Sequence, residues 1–349
     1  MDNFQYLKIS KSVEPAIADL LQRNTVGTPG KSMIYGHTDM SEKLSGLRDF
    51  RFANLHLGKK LLGTICFLQR QVVSGQREHM AVYVRYFTFH EQFRSSGDAE
   101  RKGTRSSIRQ EVARVMNGEG LDTDEKAVFY AYVDADNVRS GRLIDEFGFR
   151  KAGTFHTIPY SRFFPKEHRE VQRLGKEHQE EISQILMEFY RHFNLVTFED
   201  LFVRGNYYAI KKDGQFVCGV QAIPDSWRII SLPGITGKVM MKIVPKVPLL
   251  RRLFNPDYRF LLFQNIFCFP GHEHLLEKLF DTALADMKRY SAILCEDPMS
   301  ELYAMISGVN KGLTYRINGE KEIDIMVKTQ HAGFLNPDKP FFVSGADVL

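Results

Sequence analysis

The sequence predicts an α/β chain of the α+β kind: mixed, mostly antiparallel twisted sheets flanked by helices, laid down twice along 349 residues. Three observations carry this expectation. An apolar strand-like run at 128–133 leads through Asn137 into a short amphipathic helix and leaves it at Gly148. An apolar hairpin that turns at Gly58-Lys59 has a counterpart in the second half that turns at Asp213-Gly214, a strong two-residue turn signal. Each hairpin is preceded by an amphipathic helix. A repeat this long implies duplicated domains rather than a solenoid.

In order, residues 13–21 read as a helix, and 52–57 with 61–68 as the first hairpin. A further apolar strand covers 80–89. Ile108, Val112, Val115 and Met116 mark one buried face of the next helix. In 137–153, Asp136 or Asn137 supplies the N-cap, Leu143 and Phe147 share a face at i,i+4, and Gly148 stops the helix. The charge-rich stretch after Phe164-Pro165 separates expected domains at 1–165 and 166–349. Beyond it come a helix at 181–190, the hairpin 207–222, a strand at 260–269 and a helix at 274–287. A strand at 292–295 and a short helix at 300–306 follow. Gly312 opens the final strands, which end near Lys328, and the tail to Leu349 reads as an irregular wrap.

Composition narrows the function classes. Hydrophobic residues make up 43% and charged residues 26%, as in a soluble globular protein with an ample core. The formal net charge of +5 is only mildly basic, which argues against a nucleic-acid partner. No window reaches the roughly 18 apolar residues of a membrane span. The start of the chain lacks a cationic segment followed by an apolar run, so a cytoplasmic location is expected. Cys66, Cys218, Cys268 and Cys295 are scattered without metal spacing, and no metal is expected.

The run Asn137-Val138-Arg139-Ser140-Gly141-Arg142, with its exit Phe147-Gly148-Phe149-Arg150-Lys151-Ala152-Gly153, resembles the C-terminal half of the GNAT acetyltransferase core. The resemblance implies two tandem GNAT-like domains, the second degenerate. It also implies acetyl-CoA as the acyl donor and a small-molecule or peptide amine as acceptor. In such a fold the pyrophosphate of CoA is held by backbone N–H groups at a helix N-terminus, where first-turn amides lack partners and the helix dipole favours anions.

The family loop reads Gln/Arg-x-x-Gly-x-Gly/Ala, and two registers are available. Arg94-Ser95-Ser96-Gly97-Asp98-Ala99 matches the spelling. Glu100-Arg101-Lys102-Gly103-Thr104-Arg105 matches it less well but leads directly into the Ile108–Val112 helical face. The expectation adopted is an extended loop. Arg101, Lys102, Gly103, Thr104, Arg105 and Ser106 form the cradle, and Arg94 and Gly97 belong to an auxiliary segment. By the same resemblance, residues 86–90, including Phe87, Thr88 and Phe89, line one side of a gap between splayed strands. Residues 130–134 line the other side, and Asn137 and Ser140 meet the pantetheine arm.

The implied reaction is direct attack of an amine on the thioester, with the carbonyl polarised by a backbone N–H of the splayed strand. The proton donor usual in the family is a Tyr five residues before the Phe of the Gly-Phe exit; here that position is Ile144. Tyr132 and His90 are the substitutes chosen by proximity. The second half has no phosphate loop, because 267–274 leads straight into the next helix. Its segment 238–254 interleaves methionines, aliphatics and cations and reads as a packed cover. A GNAT-derived CoA-binding or scaffold protein without chemistry is the alternative, and a tandem aminoacyl- or long-acyl-transferase is a third reading.

Overall fold

The computed structural model describes residues 4–89, 100–123, 126–234, 249–329 and 333–348, with 237, 241, 246 and 247 singly. Of 100–105, 346 and 348 it describes only the backbone. The strands are β1 (Leu7–Ser10), β2 (Ile34–His37), β3 (Phe50–Leu57), β4 (Lys60–Ser74), β5 (Arg77–Phe89), β6 (Val128–Asp134) and β7 (Arg150–Ser161). They continue as β8 (Val171–Leu174), β9 (Asn206–Lys212), β10 (Gln215–Ser231), β11 (Asp257–Cys268), β12 (Ser291–Glu296) and β13 (Lys321–Lys328). The helices are α1 (Pro15–Arg23), α2 (Met40–Ser45), α3 (Glu100–Val115), α4 (Val138–Glu146), α5 (Gln179–Phe189) and α6 (Leu276–Asp286). Three short ones close the chain: α7 (Glu301–Ser307), α8 (Leu313–Asn318) and α9 (Gly345–Val348).

All described strands join one 13-stranded sheet in the order β1-β3-β4-β5-β6-β13-β7-β12-β11-β10-β9-β8, with β2 added beside β10. Read from either end, the order is the same pattern. Each half supplies an antiparallel meander, then one parallel pair, β5–β6 in the first half and β11–β12 in the second. The two halves exchange their last strands at the centre. β13 lies between β6 and β7, and β7 lies between β13 and β12. The division expected at 165/166 falls in the connection between β7 and β8.

Alternation along the strands sends side chains to two buried layers. On one face, Val82, Val84, Phe129 and Ala131 meet Ile108, Val112 and Val115 of α3 and Ile144 of α4. On the other, Ala81, Tyr83, Val128 and Tyr130 meet Ile17 and Leu21 of α1, Met40 and Leu44 of α2, and Phe341 and Val343 of the tail. Glu111 of α3 is buried and accepts the main-chain N–H groups of Gln5, Tyr6 and Leu7 at 2.7, 3.0 and 2.9 Å, which fixes the start of β1.

The second-half elements fall within a few residues of their expected places, with two corrections. Where strand was expected from Gly312, the chain forms α8 first, and the strand starts at Lys321. The tail expected to be irregular ends in α9. Its Asp347 is buried and takes Arg70 Nη2 at 2.7 Å and Arg70 Nη1 at 2.8 Å. Most of 238–248 lies outside the described residues.

Candidate functional site

β5 and β6 run parallel for three residue pairs only, Ala81–Val128, Val82–Phe129 and Tyr83–Tyr130. Past Tyr83 and Tyr130 both strands continue without pairing, so a gap opens between 84–89 and 131–134. On its other edge β5 slips against β4: Thr64 pairs with Thr88 and Cys66 with Arg85. The extra residue is a β-bulge, and Tyr86 at its centre has φ of 53°. The second half repeats the device. β10 and β11 slip between Gly219 and Gln221, and Asn265 has φ of 48°. The equivalent of Gly219 is therefore Thr64, the residue after Gly63.

The helices after the parallel strands also match. Asn137 caps α4 by accepting the Ser140 N–H at 3.1 Å, and Ser300 caps α7 by accepting the Tyr303 N–H at 3.0 Å. Among the described residues, hydroxyl groups cap the main chain of the second gap and not that of the first. In the second, the carbonyls of Asn265 and Ile266 accept the hydroxyls of Tyr207 at 2.9 Å and Tyr190 at 2.5 Å. Asp297, just past β12, accepts the Phe341 N–H of the tail at 2.8 Å. Among the described residues, no side chain bonds the main chain of Tyr86 or Phe87.

The expected site residues distribute as follows. Phe87 and Phe89 stand 5.2 Å apart by ring centroid on the α3/α4 face, and Phe87 lies 6.1 Å from Phe147. Thr88 points to the opposite face, where its buried hydroxyl accepts from Asn24 Nδ2 at 3.0 Å. Its side chain is therefore turned away from Phe87 and Phe89. Asn137 and Ser140 sit together at the start of α4. Tyr132 projects from β6 into an aromatic group with Tyr83 at 5.1 Å and Phe155 at 4.9 Å. Arg101, Lys102 and Gly103 lie in the first described turn of α3, and Thr104, Arg105 and Ser106 in the next. His90, Arg94 and Gly97 lie outside the described residues, immediately ahead of that helix in the chain. Ile144 is buried in the core.

Other polar residues join the α1/α2 face of the gap. Arg85 donates from Nη2 to Tyr86 Oη at 2.6 Å, with its guanidinium 4.0 Å from the ring centroid. Burial raises the Tyr86 phenol above its usual range, against the opposing pull of Arg85, and burial raises Tyr132 as well. Both remain protonated at neutral pH. Nearby, Lys43 Nζ donates to Asp225 Oδ2 at 2.8 Å and contacts His37 Nδ1 at 3.2 Å. Burial lowers the Lys43 ammonium, and burial with the Lys43 and Arg85 charges lowers His37 to about 3. These groups come from α2, β2 and β10, so residues of both halves meet near Arg85 and Tyr86. No local pattern marks them in the sequence, because their meeting depends on β2 pairing with β10.

A cavity of about 460 Å³ beside α2, lined in part by Gln22, Asp39, Glu42 and Arg228, shares no residue with the gap. Among the described residues no group of three or more His, Cys, Asp or Glu is placed to hold a metal ion. No described helix is long and apolar enough to cross a membrane.

No family model and no curated protein sequence matches the chain. Solved structures do. N-myristoyltransferase of Saccharomyces cerevisiae with bound myristoyl-CoA superposes with a TM-score of 0.56 at 12% identity, covering 97% of this chain and 87% of that one. The same enzyme with myristoyl-CoA and inhibitors gives 0.58 at 11% identity, covering 97% and 84%. A GCN5-related N-acetyltransferase from Anabaena variabilis gives 0.49 at 10% identity, covering 94% and 74%. At these identities the likeness is one of fold. With its splayed parallel pair and the helices on either side, this chain has the GNAT fold, and the likeness extends over nearly its whole length.

Proposed function

We propose that this protein is an acyl-CoA-dependent N-acyltransferase, with one working donor site in the gap between β5 and β6. The observation that carries the reading is the contrast between the two gaps. The second is closed by Tyr190, Tyr207 and the tail, while in the first no side chain among the described residues bonds the main chain of Tyr86 or Phe87. The pantetheine arm lies along 86–89, and the pyrophosphate meets the N-terminus of α3 at Arg101, Lys102 and Gly103, aided by Arg94, Gly97, Thr104, Arg105 and Ser106. Asn137 and Ser140 close the site from α4.

In this reading the Phe87 amide polarises the thioester carbonyl. The amine attacks, and the thiolate takes a proton from a group on the gap wall, for which Tyr132 and His90 are the sequence-derived candidates. Such a group contributes about 10² to 10⁴-fold. The donor is acetyl-CoA. Tyr83, Tyr130, Tyr132 and Phe155 pack the floor of the gap on one face, which favours a short acyl group over a long one. The acceptor is a peptide or small-molecule amine, and the protein works in the cytoplasm.

The second reading, a CoA-binding protein without chemistry, draws on Ile144, which puts a core side chain where the family carries its acid. Titration calorimetry with acetyl-CoA at millimolar concentration tests the first reading: absence of heat removes it. Binding without turnover across a panel of primary amines would favour the second.

A further inference from the structure

We propose that Tyr86 is the residue that holds the CoA sulfur and returns a proton to it as the thiolate leaves. The inference rests on the N-acyltransferase reading and deepens it at one atom.

Three independent features point to Tyr86. The first is its hydrogen-bond inventory. A guanidinium only donates, so the 2.6 Å bond from Arg85 uses the Tyr86 oxygen as acceptor and leaves the phenol proton unspent. Among the described residues nothing accepts that proton. Two of the neighbouring phenols on the same face differ: Tyr83 donates to the Asp347 carbonyl at 2.8 Å, and Tyr130 to its carboxylate at 3.1 Å.

The second is backbone conformation. A φ of 53° at an aromatic residue costs on the order of 1–3 kcal/mol and persists where the surroundings impose it. The matching bulge in the closed second gap carries Asn265, a residue type that takes this conformation readily. The first half thus keeps a large phenol at a position where the backbone would prefer a small amide.

The third is placement. Tyr86 sits past the end of the β5–β6 pairing, at the bulge of β5 against β4 and on the face it shares with Tyr132, so the gap is bounded by one tyrosine from each strand. Burial keeps the phenol protonated, and the adjacent Arg85 cation stabilises the phenolate once the proton has gone.

The step balances. The amine lone pair forms the C–N bond and the C–S bond breaks. Its electron pair stays on sulfur, which takes the Tyr86 proton. The proton lost by the attacking nitrogen restores the phenol, so the products are amide and free CoA thiol. Ile144 needs no role in this scheme.

The test needs no acceptor. Binding of CoA and of desulfo-CoA is measured by calorimetry for the wild type, Y86F, Y86N and Y132F. The wild type is expected to prefer CoA about tenfold, the size of one hydrogen bond to a polarisable acceptor. Y86F and Y86N should bind both ligands alike, at the wild-type affinity for desulfo-CoA. The proposal is overturned if the wild type binds the two ligands equally, or if Y86F retains the preference. It also fails if the preference is lost in Y132F instead, or if Y86F weakens both ligands in parallel, which marks a structural role. Failure of the wild type to bind either ligand removes the acyltransferase reading itself, a separate result.

Discussion

Lys43 and Asp225, 182 residues apart, form an ion pair at 2.8 Å with side chains 8% and 5% exposed, and it is one of the ties between the two halves over the gap. Removing one partner of a buried pair leaves the other charge unsolvated, which costs about 3–5 kcal/mol. D225N and K43M are each expected to lower the unfolding free energy by that amount in urea titration. The double change K43M/D225L should recover most of it, since two apolar groups need no compensation. Additive losses would show that the pair is not coupled.

Glu296 sets a pH dependence with a definite sign. Burial, with Asp297 beside it, raises its carboxyl to about 8. The folded state therefore binds more protons than the unfolded one between about pH 4.5 and 8. The contribution to stability is complete below the unfolded value and is lost as pH rises through 8, at up to about 1.4 kcal/mol per unit. Unfolding measured from pH 5 to 9 should show this fall, and E296Q should flatten it. An unchanged slope in E296Q would assign the effect elsewhere.

Gly63 faces Phe89 across the β4–β5 ladder, and a Cβ there would press into the ring. G63A is expected to cost about 1–3 kcal/mol as an overpacked site. Because Phe89 lines the proposed donor gap, it should also weaken CoA binding. Gly219 has the same relation to Phe267 in the closed gap, so G219A should destabilise without touching CoA affinity. Equal effects of both on binding would contradict a single donor site.

The paired caps separate fold from function in the same way. Asn137→Ala and Ser300→Ala each remove a bond to a first-turn amide, worth about 1 kcal/mol. Both should shift the thermal midpoint alike. Only N137A should reduce CoA affinity in calorimetry.

Local pattern made much of this legible. The helix at 138–146, its Asn137 cap, the Asp213-Gly214 turn and the strands β11 and β12 follow from period, cap and turn chemistry over a few residues. α8 was missed because Leu313, Thr314 and Tyr315 carry strand propensity, yet Gly312 turns the chain and Thr314 is buried against β7. The parting of β5 and β6 was legible as a region, and what it holds was not. Phe87, Thr88, Phe89, Asn137 and Ser140 lie on the gap or beside it. What Tyr86 does depends on a bulge, and a bulge is a mismatch of two strands that neither strand writes alone. Likewise Lys43, His37 and Asp225 are ordinary surface residues in sequence, and become a buried cluster only through the β2–β10 pairing.

The exchange of β7 and β13 sets the order in which the chain can be assembled. As synthesis proceeds, β6 has no neighbour on its outer side until residues 321–328 have emerged, long after the rest of the first half. Through that interval the nascent chain carries a bare strand edge, the surface on which other chains pair. The gap bounded by β6 takes its width only once β13 is in place, so its geometry waits on residues 321–328 rather than on the first half alone.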